Sequence, residues 1–310
     1  MRRRVAGTRP RSPDTLRAAN RRGILAMSFG MASFVTNDAL VKYVSQALAP
    51  SQLIFIRGLF ATLLLLAVAH AMGATRQMGM LLQRPVLARA LLDALATVTY
   101  LTSLFHLPIG NATAINMATP LFITLFAVLA LRERVGPGRW LAIGTGFTGV
   151  LLVVQPSGAA FNAYALLCLG GTLLHASRDL MTRVIDARVP SILITLSTAV
   201  AVTLLAGAWS LLQDWQPMAW HQLALLAAAA LFLSIGYYLL ITSMRAGEMS
   251  VIAPFRYTAL LYALSLGYAV WGDVPNALAW SGIALLVAAG LHVLHGERTR
   301  VRPELEPVSE

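Results

Sequence analysis

The sequence is poor in charge. Asp, Glu, Lys and Arg together make up 12% of its 310 residues, about half the share of roughly 25% usual in soluble domains. A globule of this size with so little charge could not solvate its surface, which excludes a soluble enzyme. A hydrophobic fraction of 57% excludes a disordered chain. Cysteine occurs once, at Cys168, so neither an intrachain disulfide nor a thiolate metal cluster can form. The Gly-x-x-x-x-Gly-Lys loop that cradles nucleotide phosphates is missing, as are HExxH and the Gly-x-Ser-x-Gly elbow. The expectation is therefore no catalytic residue, no cofactor and no metal. Acidic residues number only 13 against 24 basic ones, for a net charge of +11. That excess resembles a nucleic-acid binder, but the placement of the arginines explains it otherwise.

What the chain has in quantity is long apolar runs, with a mean hydropathy of +0.69. A membrane-spanning helix needs about 20 mostly apolar residues. Ten such segments are expected, at roughly 23–44, 51–73, 86–106, 110–131, 138–155, 161–182, 190–212, 220–244, 249–271 and 277–295. The breaks between them carry turn formers or charges, such as Pro50, Arg84-Pro85, Pro156-Ser157-Gly158 and Gly272-Asp273-Val274-Pro275. The runs are continuously apolar and too long for barrel strands. The first run follows a basic leader like a signal peptide, but its length and its Asn37, Asp38 and Lys42 make it a true span.

With the N-terminus placed in the cytoplasm, 20 of the 24 basic residues fall on cytoplasmic loops, tails or cytoplasmic span ends. The other four, Lys42, Arg57, Arg178 and Arg256, lie inside spans, and the outer loops hold none. This is the positive-inside pattern, and it places both termini in the cytoplasm. Six tryptophans at span ends suit an interfacial belt. Residues 1–22 then form a basic tail and residues 296–310 a second tail. The bilayer, not nucleic acid, is the large partner. With arginine strongly preferred to lysine, as in GC-rich bacterial genomes, a multi-pass protein of a bacterial inner membrane is expected.

The chain also repeats itself at an interval of about 140 residues, 23–155 against 161–295. Asp38-x-x-x-Lys42 matches Asp179-x-x-x-Arg183, Glu133 matches Asp273, Trp140 matches Trp280, Ile143 matches Ile283 and Asn116 matches Arg256. Five spans per copy is an odd number, so the second copy sits inverted. Arg132, Arg134 and Arg139 accordingly have the neutral counterparts Gly272, Val274 and Ala279 on the outer side. The expected fold class is an all-α polytopic membrane protein with ten transmembrane helices arranged as two inverted five-helix repeats. Inverted repeats build alternating-access carriers with a site near the midplane.

Span 4, the turn after it and span 5 carry Pro120, Leu131-Arg132-Glu133-Arg134-Val135, Trp140-Leu141-Ala142-Ile143-Gly144 and Gly149-Val150. The second half carries Ala253-Pro254-Phe255-Arg256-Tyr257 and Gly272-Asp273. This pattern of a mid-helix proline, an acidic turn and a glycine-punctuated last helix resembles the EamA-type family of the drug/metabolite transporter superfamily. Asn37-Asp38 and Pro254-Phe255-Arg256-Tyr257 resemble the subgroup of S-adenosylmethionine uptake carriers and, less specifically, the riboflavin carriers. The resemblance implies a secondary active carrier of a small polar organic metabolite, amino-acid-like or cofactor-like. It also implies spans 1, 3, 4, 6, 8 and 9 around a central cavity, with 5 and 10 packed together outside. A membrane-embedded enzyme or a lipid-handling protein is the alternative. Small-residue spacings at Ala142/Gly146 and Ala284/Ala288 suit helix contact, within the chain or across a homodimer.

Charges inside spans mark candidate sites. Each costs about 2.5–3.5 kcal/mol at a helix centre, so they must pair, snorkel or line water. At a rise of about 1.5 Å per residue, Asp38 and Arg57 fall at matching outer depths and are expected to pair, with Asn116 nearby. Asp93 and Arg256 form a second opposite-charge set on the inner side. Asp38–Lys42 and Asp179–Arg183 have i,i+4 spacing, and Arg178, near a span end, is expected to snorkel. His175 is either a packed neutral side chain or a proton carrier. Tyr257 follows Arg256 directly, and with Tyr100, Tyr237, Tyr238 and Tyr262 it could form an aromatic wall. The candidates for substrate binding or gating are Asp38, Arg57, Asp93, Asn116, His175, Asp179, Arg256 and Tyr257.

Overall fold

The computed structural model describes residues 13–131, 137–155, 162–182, 184–186, 188–246 and 249–301. Among the described residues all regular structure is helical. In chain order the helices are α1 (Pro13–Val44), α2 (Pro50–Ala71), α3 (Arg84–Leu104), α4 (Ile109–Asn116), α5 (Thr119–Leu131) and α6 (Pro137–Val154). They continue as α7 (Ala163–Thr182), α8 (Ser191–Ser210), α9 (Trp220–Ala246), α10 (Met249–Ile252), α11 (Thr258–Trp271) and α12 (Ala277–Val301). Tighter 3-10 segments cover Ala74–Leu82 and Ala253–Tyr257. Six stretches are long and apolar enough to cross a membrane: Arg17–Val44, Pro50–Ala71, Arg84–Leu104, Ile109–Phe126, Ser191–Ser210 and Trp220–Ser243. Trp140–Val154 and Ala277–His292 are shorter apolar helices. α7 is less apolar because its last turns carry Arg178 and Asp179.

Proline sets several boundaries. α2 and α3 carry a proline in their first turn, where a missing N–H costs nothing. Inside an apolar run the same residue breaks the helix. Pro120 cannot donate to the Asn116 carbonyl, and α4 ends there; the Thr119 hydroxyl donates to that carbonyl instead, at 2.6 Å. Pro254 stands in the 3-10 segment that separates α10 from α11. Gly272, at φ 71°, adopts the left-handed conformation that ends α11.

Lys42 does not pair with Asp38 as the i,i+4 spacing predicts. Its ammonium donates to the carbonyls of Leu104, at 2.9 Å, and Leu107, closing the C-terminal end of α3. It also lies 5.6 Å from the Trp271 ring centroid. Carbonyls at a helix C-terminus lack intrahelical donors and carry partial negative charge, which suits an ammonium. In the exposed connection between α7 and α8, hydrogen bonds from the Arg188 guanidinium and backbone N–H hold the Asp186 carboxyl down to about 2.

Helices pack in pairs: α1 along α9, α3 along α7, α2 against α8, α6 against α12 and α4 against α11. α3 also meets α8, and α2 meets α9. The closest backbone approach given for α6 and α12 is at Gly149 and Gly282. A Cβ on Gly149 would stand 2.7 Å from the Gly282 carbonyl oxygen, and one on Gly282 would stand 2.5 Å from that of Gly149. Gly146 instead accommodates Leu121, and Ala284 and Ala288 face outward. Backbone cannot yield as a side chain can, so Gly149→Ala is expected to destabilise by about 1–3 kcal/mol. Gly144, with nothing near its Cβ position, is the control: Gly144→Ala is expected to stabilise by roughly 0.5–1 kcal/mol through helix propensity. Thermal melts in detergent, followed through reaction of the single buried thiol, Cys168, check both signs.

Candidate functional site

A cavity of about 230 Å³ lies among the paired helices. It is lined from α1 (Asn37, Asp38), α2 (Arg57), α3 (Tyr100), α4 (Thr113, Asn116), α7 (His175, Arg178, Asp179), α8 (Thr195, Thr198), α9 (Tyr237) and the Ala253–Tyr257 segment (Arg256). α2 and α8 therefore join the six spans that the resemblance places around the cavity. α6 and α12 contribute nothing to this wall and pack on each other, as implied.

The polar lining divides into three groups. In the first, Arg57 Nη1 donates to Asn37 Oδ1 at 3.2 Å and Asn37 Nδ2 donates to Asp38 Oδ1 at 2.8 Å. The Tyr100 hydroxyl donates to Asp38 Oδ2 at 3.1 Å. Asp38 and Arg57 thus do come together, but through the Asn37 amide and not as a direct ion pair. In the second, His175 Nδ1 and Asn116 Oδ1 lie 3.0 Å apart, joining α7 to α4. The Tyr100 ring lies beside that of His175, with centroids 5.9 Å apart.

The third group is ionic. Arg178 Nη1 binds Asp93 Oδ1 at 2.7 Å and Nη2 binds Asp179 Oδ1 at 2.8 Å. Arg89 Nη1 lies 3.4 Å from Asp93 Oδ2, which also accepts from the Thr198 hydroxyl at 3.0 Å. Arg89 reaches Thr182 at 2.9 Å as well. Two sequence expectations are overturned here, and a third falls partly outside the described residues. Arg178 does not snorkel; it turns inward, because Asp93 offers a buried carboxylate. Asp93 is held by Arg178 and Arg89, not by Arg256, and it stands one bond behind the cavity wall. Asp179 pairs with its neighbour Arg178; its expected partner Arg183 lies outside the described residues.

Arg256 lines the cavity and makes no hydrogen bond or ion pair among the described residues. Tyr257 does not share its cavity. The Tyr257 hydroxyl is buried against Gly290 of α12, with no hydrogen-bond partner among the described residues, and any side chain at Gly290 would collide with it. Of the expected aromatic wall only Tyr100 and Tyr237 line the cavity, while Tyr238 is 70% exposed. Arg89 and Thr198, which hold Asp93, are not among the site residues expected from sequence. The i,i+4 spacing of Arg89 and Asp93 was a signal for the first; for Thr198, on another helix, there was none. A second cavity, about 250 Å³, lies between Asn111, Asn162, Asp273 and Asn276.

Comparison with known proteins accords with this geometry. The profile of the EamA-like transporter family matches residues 21–155 and, a second time, residues 162–294. The chain belongs to this family. Among relatives of this EamA chain, a riboflavin transporter of Rhizobium johnstonii is 32% identical over 216 residues, 70% of this chain and 72% of its own. A pseudopaline exporter of Pseudomonas aeruginosa is 27% identical over 278 residues, 86% of this chain and 94% of its own. An S-adenosylmethionine uptake transporter of Rickettsia prowazekii is 23% identical over 278 residues, 89% of this chain and 93% of its own. A crystal structure with a TM-score of 0.61 and 19% identity, covering 92% of this chain and 99% of that one, shares the fold. The EamA protein is a multi-pass membrane transporter of a small metabolite.

Proposed function

We propose that the protein is a secondary carrier of the bacterial inner membrane that moves a small polar organic metabolite with an anionic group by alternating access. The observation that carries the substrate reading is Arg256, a guanidinium in the cavity wall with no hydrogen-bond or ion-pair partner among the described residues. A planar fork of donors suits a carboxylate. Around it, ten spans form two inverted repeats with both termini in the cytoplasm. α4 with α5 supplies span 4, and α10 with α11 supplies span 9, each broken near the cavity. Three observations support the repeat. The family profile matches twice. The buried and exposed positions of α6 over 141–150 recur residue for residue in α12 over 281–290. The helix pairing maps onto itself when the halves are exchanged, α1 with α9 becoming α7 with α3. The ionic group joins α3 of the first half to α7 and α8 of the second, as a gate between halves would.

The alternative, an intramembrane enzyme or a lipid-handling protein, has less support, because each relative named above is a transporter. Orientation has a direct test. Ala163, Asp214 and Gln77 are exposed, and the native Cys168 is buried. Cysteines at Ala163 and Asp214 are expected to react with an impermeant maleimide added outside intact cells, and one at Gln77 is not. Labelling at Gln77 contradicts the topology. The carrier reading is tested by uptake of labelled solute into sealed vesicles containing the purified protein.

A further inference from the structure

Arg256 is not the only guanidinium in the cavity with donors to spare. Arg57 is 4% exposed and lines the same cavity from α2, yet it places a single N–H, on the Asn37 amide. Its buried Nε has no hydrogen-bond partner among the described residues. An arginine carries five donors, and a desolvated donor left unbonded is costly. Among the described residues no carboxylate bonds to it directly, because Asn37 stands between Arg57 and Asp38 and Asp38 is occupied by Asn37 and Tyr100. Arg178 is different: Asp93 and Asp179 take its donors. Nearby, the Thr113 hydroxyl is 5% exposed, also lines the cavity, and faces the Tyr100 phenol without a hydrogen bond of normal geometry.

The charges point the same way. Arg57, Arg178 and Arg256 in the wall and Arg89 behind it face the carboxylates Asp38, Asp179 and Asp93. Arginine does not lose its proton in a protein, so protonating any of these carboxylates only adds positive charge. Among the described residues the site is therefore always net positive.

We infer that Arg57 is a second substrate-binding arginine, and that the substrate is an organic acid with a second oxygen acceptor, a carboxylate or carbonyl, set apart from the group held by Arg256. The inference rests on the carrier reading and narrows its substrate class. One arginine alone would accept any monoacid. Two, placed on α2 and on the broken segment, select for an acid that bridges them.

Matched probes test this: succinate against butyrate, and glutamate against 2-aminobutyrate, by thermal shift of the purified full-length protein in detergent. The second acceptor is expected to lower the half-saturating concentration roughly tenfold or more, the worth of a charge-assisted hydrogen bond. Arg57→Lys keeps the buried charge and the Asn37 contact but loses the fork. It is expected to erase the difference within each pair while leaving the monoacids' binding within about twofold, whereas Arg256→Lys weakens all four. A difference that persists in Arg57→Lys, equal weakening of all four by that variant, or no shift with any probe would overturn the inference. Vesicle transport judges the carrier reading separately, since a protein that moves solute yet binds none of the four acids is still a carrier.

Discussion

Arg256→Ala is expected to abolish transport and to leave folded protein in the membrane. The guanidinium makes no hydrogen bond or ion pair among the described residues, so its removal strands no partner. What it removes is the contact proposed for the anionic group of the substrate. Hydrogen bonds to charged groups contribute about 1.5–3 kcal/mol each, and losing a bidentate pair lowers affinity by roughly two orders of magnitude or more. Arg256→Lys keeps the charge and loses the fork, and it is expected to cut the initial rate about tenfold or more. The competing account, that Arg256 merely neutralises Asp93, predicts that adding Asp93→Ala restores transport. Asp93 has other partners at 2.7 and 3.4 Å, so the double variant is expected to stay inactive. Initial rates in vesicles matched for protein content check all three.

Asp93→Ala is expected to give the largest loss of stability. The carboxylate is 2% exposed and holds Arg178, Arg89 and Thr198 at once. Removing one member of a buried pair leaves an uncompensated charge, at a cost of about 3–5 kcal/mol. The lower end applies, because Arg178 keeps Asp179 and Arg89 keeps Thr182. Asp179→Ala makes the contrast. Its side chain is 28% exposed, solvent screens the pair, and a cost below about 1 kcal/mol is expected. Melting temperatures in one detergent give the order, and equal losses at the two positions would contradict the assignment of Asp93 as the hub.

Much of the fold was legible because the bilayer enforces it. Apolar run length and breaks at proline and glycine place helices where they are found, and Pro120 and Pro254 mark the two broken segments. Composition also found the charged residues that belong in the interior. It did not find their partners. Depth along a helix pairs residues at equal height, which joined Asp93 to Arg256. Rotation about the helix axis, which sequence depth does not encode, turned Arg178 toward Asp93 instead. Lys42 shows a second limit: its acceptors are backbone carbonyls at the end of α3, groups every residue carries and no side-chain pattern reveals. Tyr257 shows a third. It adjoins Arg256 in sequence, but successive residues of a tight helix point to different faces, and this one packs on Gly290.

Solute counterflow tests the carrier most directly. Sealed vesicles with the purified protein, loaded with unlabelled solute and diluted into a trace of the same labelled solute, would be tested over a panel of amino acids, organic acids, S-adenosylmethionine and riboflavin. Transient accumulation of at least one solute bearing an anionic group, absent from vesicles with equal amounts of folded Arg256→Ala, is the predicted result. No counterflow for any member of the panel, or undiminished counterflow in Arg256→Ala, would contradict it.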